Sequence, residues 1–64
     1  MDWIDRKWLQ RTFKRGEIAD IGRLNQMAGT LGIPEAERER RLSKLLTKGV
    51  LEEIKRGKFV MRWR

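Results

Sequence analysis

The chain contains neither cysteine nor histidine. Without cysteine it has no disulfides and no thiolate metal site. Without histidine it lacks the commonest metal ligand and general base. No apolar run approaches the roughly 20 residues that a membrane span needs. The opening MDWIDRKW carries acids and no apolar h-region, which argues against a signal peptide. The expected setting is therefore intracellular, cytoplasmic or associated with the nucleoid. There is no glycine-rich phosphate loop, and no nucleophile has a plausible base. Glu52 and Glu53 alternate to opposite faces of a strand and form no catalytic pair. No enzymatic activity, cofactor, metal or small-molecule substrate is expected.

Acidic residues are also scarce, at 9 against 16 lysines and arginines, for a net charge of +7 and an isoelectric point near 10.9. At that density a polyanionic partner is a better explanation than solubility alone. The charge is uneven. Residues 1–16 carry +3, residues 17–34 carry −1, residues 35–48 carry +2 and residues 49–64 carry +3. The second segment, nearly free of charge, reads as an element packed inside the domain.

With 64 residues the chain is one domain at most. A domain this small buries only roughly 60% of its unfolded surface, so its three Trp and two Phe supply much of the core bulk. Residues 2–15 read as a first helix, capped by Asp2 and ended by Gly16. Ile4, Trp8, Leu9 and Phe13 share one arc of it. Trp3 lies off that arc, and is either a partly covered residue at a frayed end or a self-association or stacking contact. Glu17-Ile18-Ala19 fits a short strand. Asp20 then caps a second helix over 21–31, where Leu24, Met27, Ala28 and Leu31 keep a core rhythm. Gly32 stops it and Ile33 folds back on the cap.

Pro34 suits the first position of a third helix running to about Lys48. Leu42, Leu45 and Leu46 face inward. Glu37, Arg40, Arg41, Lys44, Thr47 and Lys48 form the outward arc, and Gly49 ends the helix. The final stretch, GVLEEIKRGKFVMRW, fits a β-hairpin. A two-residue turn at Arg56-Gly57 sets Lys55 opposite Lys58, Ile54 opposite Phe59, Glu52 opposite Met61 and Val50 opposite Trp63. That register puts Val50, Ile54, Phe59, Met61 and Trp63 on the buried face and Val60 on the other. It also crowds Lys55, Arg56 and Lys58 around one tip.

Taken together, GEIAD (16–20), LNQMAGTLGIPE (24–35) and RLSKLLTKGVLEEIKRGKFVMRW (41–63) resemble the winged helix-turn-helix superfamily. The resemblance covers nearly the whole chain. It implies an α+β fold, a small winged helix-turn-helix with three helices plus a C-terminal β-hairpin wing, as one domain over 1–64. It also implies that helix 34–48 enters a DNA groove while the wing, 50–63, reaches the backbone. The DNA-binding residues would then be Arg40, Arg41, Lys44 and Lys48 on the helix and Lys55, Arg56, Gly57 and Lys58 on the wing. Phosphates would neutralise the crowded tip and release counterions.

The helix departs from the family pattern at its acidic start, Glu35, Glu37 and Glu39. It departs again at Arg38, where an apolar residue is usual; Arg38 either lays its stem over the core or pairs with Glu35. The functional expectation is binding of double-stranded DNA, in transcription regulation or as a replication or mobile-element accessory factor. A lone helix reads one half-site, so tight specific binding calls for a homodimer or a neighbouring protein domain. A protein-contact module of a larger assembly is the runner-up, ahead of RNA binding; membrane contact comes last.

Overall fold

The computed structural model describes residues 2–14 and 17–62. Its elements are α1 (Trp3–Thr12), β1 (Ile18–Asp20), α2 (Ile21–Thr30), α3 (Glu35–Thr47), β2 (Leu51–Lys55) and β3 (Lys58–Met61). The fold is thus α+β, three helices beside a three-stranded antiparallel sheet of order β1-β3-β2. The radius of gyration is 10.4 Å, close to the ~11 Å of a compact domain this long.

Local chemistry starts and stops the helices. Asp2 Oδ1 accepts the Asp5 amide at 2.9 Å, and Asp20 Oδ1 accepts the Arg23 amide at 2.8 Å. Both carboxylates satisfy amides that a helix start leaves open. Both α2 and α3 end in a Schellman motif. In α2, Ile33 N–H donates to Ala28 O and Gly32 N–H to Gly29 O; in α3, Val50 N–H donates to Leu45 O and Gly49 N–H to Leu46 O. Each motif folds the chain sharply, the first into α3 and the second into β2. Gly16, the expected cap of α1, lies outside the described residues. Pro34 sits one position earlier than expected, as the N-cap of α3, its carbonyl accepting the Arg38 amide at 2.8 Å.

One core joins the helices to the sheet. Trp8, Leu9 and Phe13 of the α1 segment meet Leu24 and Ala28 of α2, Leu45 of α3, and Ala19, Leu51 and Phe59 of the sheet. Trp8 is fully buried, and its indole Nε1–H donates to Leu24 O at 2.9 Å, so its polar edge is satisfied. Arg23 closes the other end of α1, donating from Nε to Thr12 O at 2.8 Å and from Nη2 to Arg11 O at 3.0 Å.

The hairpin departs from strict alternation. Lys55 does pair with Lys58, but Glu53 pairs with Phe59, Glu52 with Val60 and Leu51 with Met61, with an irregularity between Glu53 and Lys55. A bulge at Ile54 absorbs one residue and shifts every pair below it. Leu51 therefore takes the buried place at 1% exposure, while Ile54, expected inward, is 43% exposed. Val60, expected outward, is buried because β3 is the central strand, flanked there by Ile18 and Glu52. The Val50–Trp63 pair falls partly outside the described residues.

Candidate nucleic-acid interface

The eight residues expected to meet DNA fall into two groups. Arg40, Arg41 and Lys44 line a cleft of about 260 Å³ together with Asp2, Asp5 and Glu37. Lys55, Arg56, Gly57 and Lys58 form the hairpin tip. Lys48 stands between them in the chain, at the C-cap of α3, exposed. No hydrogen bond or ion pair links the two groups among the described residues.

In the cleft the two adjacent arginines part company. The helical period puts Arg41 on the outward arc. Instead its Nη1 donates to Asp2 Oδ2 at 2.8 Å and Asp5 Oδ1 at 3.0 Å, and its Nε to Glu37 Oε2 at 2.9 Å. Its side chain is 19% exposed and that of Asp5 only 3%. The hydrogen bond it donates to Asp2, then those to Glu37 and Asp5, hold the guanidinium more firmly protonated than usual, against the opposing effect of burial. Arg41 is thus a clamp between α1 and α3, and Glu37, another expected outward residue, is half-buried with it. One step of about 100° round the helix leaves Arg40 on the wall of the same cleft without an ion pair to these acids. Arg40, Lys44 and Lys48 are exposed and have no ion pair among the described residues.

The same outward face carries Ala36, Ser43 and Thr47, all exposed. Ala36 and Ser43 carry no charge to mark them in the sequence. The helical period, applied about Arg40, finds them. Ala36 lies one turn before Arg40, and Ser43 sits beside Arg40 and Lys44. Arg38 combines both expected behaviours, with a side chain 20% exposed and a guanidinium 3.8 Å from Glu35.

At the tip, Lys55 stands opposite Lys58, a like-charge pairing that weakens a hairpin. Two acids offset part of this. Glu53 Oε2 accepts the Gly57 amide at 2.8 Å, and Asp20 Oδ2 lies 3.8 Å from Lys58 Nζ. Lys55 and Arg56 are exposed and have no ion pair among the described residues. Gly57 alone supplies the positive φ of the turn, at 78°, and its carbonyl accepts the Ile21 amide at 2.8 Å. The tip is therefore fastened to the first residue of α2.

No helix among the described residues is long and apolar enough to cross a membrane. Compared with protein-family models, curated proteins and solved structures, the chain matches none of them.

Proposed function

We propose that this is a winged helix-turn-helix domain that binds double-stranded DNA, with α3 addressing a groove and the β2–β3 hairpin acting as the wing. The element order, with β1 pairing to β3 and the hairpin following α3, is compatible with that arrangement. The observation that carries the functional reading is a set of exposed cations on these two elements, Arg40, Lys44 and Lys48 with Lys55 and Arg56, that have no ion pair among the described residues. Arg38, Arg41 and Arg62, by contrast, meet the chain's own carboxylates.

Arg40 can pair bidentately with a guanine edge, and Lys44 with the same groove or its phosphates. The tip cations add sequence-independent affinity. Arg41 leaves the set of readers and becomes the residue that holds α3 in place. A transcriptional or replication-accessory role follows from such binding.

Gel shifts with random duplex at two salt concentrations, followed by selection from a randomised pool, test this reading. Binding should weaken steeply with salt, and the preferred sequence should be lost in the Arg40→Ala/Lys44→Ala variant. The same preferred sequence without those side chains would refute the assignment of α3. A protein-contact module is the second reading, favoured by Trp3 at 69% exposure and Ile18 at 60%. It is selected if duplex affinity is negligible at low salt.

A further inference from the structure

Helix α1 turns a second positive surface to solvent. Trp3, Arg6, Lys7, Gln10 and Arg11 follow the three- and four-residue spacing of one helix face, all exposed except Lys7, which is half-buried. That face lies opposite Asp5, Trp8, Leu9 and Thr12, which are buried. It holds no acid. Lys7 and Arg11 stand four residues apart, where like charges cost helix stability. Neither has a carboxylate partner among the described residues. This is the like-charge crowding of the hairpin tip again, on an element that the DNA reading leaves unused.

Acid separates the two positive surfaces. Asp2, Asp5 and Glu37 gather on Arg41 where α1 meets α3. Arg40 and Lys44 share a cleft with these carboxylates, so a duplex continued from them across the seam to α1 would pass over acid. The occupant of the α1 face must therefore be a second molecule or segment. A second copy of this chain docking through the same face would set cation against cation. A lipid surface needs apolar side chains to insert, and those of α1 are committed to the core, leaving Trp3 alone. A polyanion satisfies the face without further demands. Trp3, with the Lys7 ammonium 5.8 Å from its ring centre, adds a flat surface at one end.

We infer that the outward face of α1 holds a second nucleic-acid segment, so that one chain joins two duplexes. This rests on the DNA reading of α3 and the wing. The molecule measures 25 × 22 × 21 Å. The Debye length at physiological salt is about 8 Å, so duplexes on separate faces of this body scarcely repel each other.

A bridging assay tests the inference. A biotinylated duplex on beads is mixed with a labelled second duplex and the wild-type chain, then with Lys7→Gln/Arg11→Gln. Glutamine keeps helix propensity, and circular dichroism checks the fold. The wild type should capture the second duplex. The variant should lose that capture at least tenfold while its affinity for a single duplex changes less than about threefold. Sedimentation should give a monomer at the same concentrations; a dimer would explain capture by two copies and overturn the inference. Undiminished capture by the variant also overturns it, as does preference of this face for anionic vesicles or polyglutamate over duplex. A wild type that binds one duplex but never captures another overturns it too, with the DNA reading intact. Failure to bind the immobilised duplex at all removes both.

Discussion

The seam between α1 and α3 and the tip of the β2–β3 hairpin both concentrate charge, and they handle it in opposite ways. In the seam one guanidinium meets three carboxylates, none farther than 3.0 Å. At the tip Lys58 reaches a carboxylate only at 3.8 Å, and Lys55 and Arg56 reach none among the described residues. The seam's cation is satisfied from within, with carboxylate in excess, and welds two helices. The tip keeps an excess of positive charge open to solvent. A cation's role is set by the acids around it, and Arg40 and Arg41, adjacent in sequence, fall on different sides of that divide.

The largest expected effect would break the seam. Arg41→Ala leaves Asp5 buried without its cation, which should cost about 2–3 kcal/mol, less than for a fully buried pair because Arg41 is itself partly exposed. Arg40→Ala should stay within about 0.5 kcal/mol. Urea denaturation of the two variants compares them, and equal midpoints would erase the distinction between a clamp and an open cation. The tip comes next. Lys55→Ala/Arg56→Ala/Lys58→Ala should lower the slope of log affinity against log salt by about 2.7, at about 0.9 for each phosphate that no longer meets a cation. An unchanged slope would show that the tip touches no phosphate.

Gly57→Ala sharpens the comparison from the backbone side. A Cβ there would meet Ile21 Cγ2 at 3.8 Å, an ordinary contact, so the cost is conformational. It should be about 1 kcal/mol, read from the shift in thermal midpoint. A neutral result would mean that the turn tolerates another geometry. The smallest effect concerns acid. The Asp5 amide, and after it Arg41, hold the Asp2 carboxyl below its ordinary value of 3.8. The folded state thus keeps Asp2 ionised at pH values where the unfolded chain takes up a proton. That contribution is complete above the ordinary value and drains away as pH falls through the lowered one. Asp2→Asn preserves an N-cap acceptor and should flatten the stability curve below about pH 4, measured by denaturation across pH. An acid limb identical to that of the wild type would detach Asp2 from the seam.

What is legible in the sequence is what short-range rules govern. Asp2 and Asp20 as caps, Gly32 and Gly49 as stops, and the Leu24–Ala28 stripe each depend on neighbours within a turn or two, and each is where the spacing puts it. The errors lie where distant residues decide. Arg41 sits at the edge of the outward arc, and what draws it inward is a pair of carboxylates on α1, far away in the chain. Strict alternation exchanges Ile54 and Leu51 because it assumes a regular ladder, and a single bulge inverts the faces below it. The tip's partial neutralisation by Asp20 is equally hidden, since it requires β1 to pair with β3.

The bond from the Ile21 amide to the Gly57 carbonyl has a further consequence. A loop that wanders must give up its freedom whenever it docks, and that loss is subtracted from every contact it makes. Here the loop is moored to a helix before any ligand arrives. Its docking should therefore carry little ordering penalty, and a calorimetric titration should find the tip's share of affinity without the unfavourable entropy of a segment that stiffens on contact.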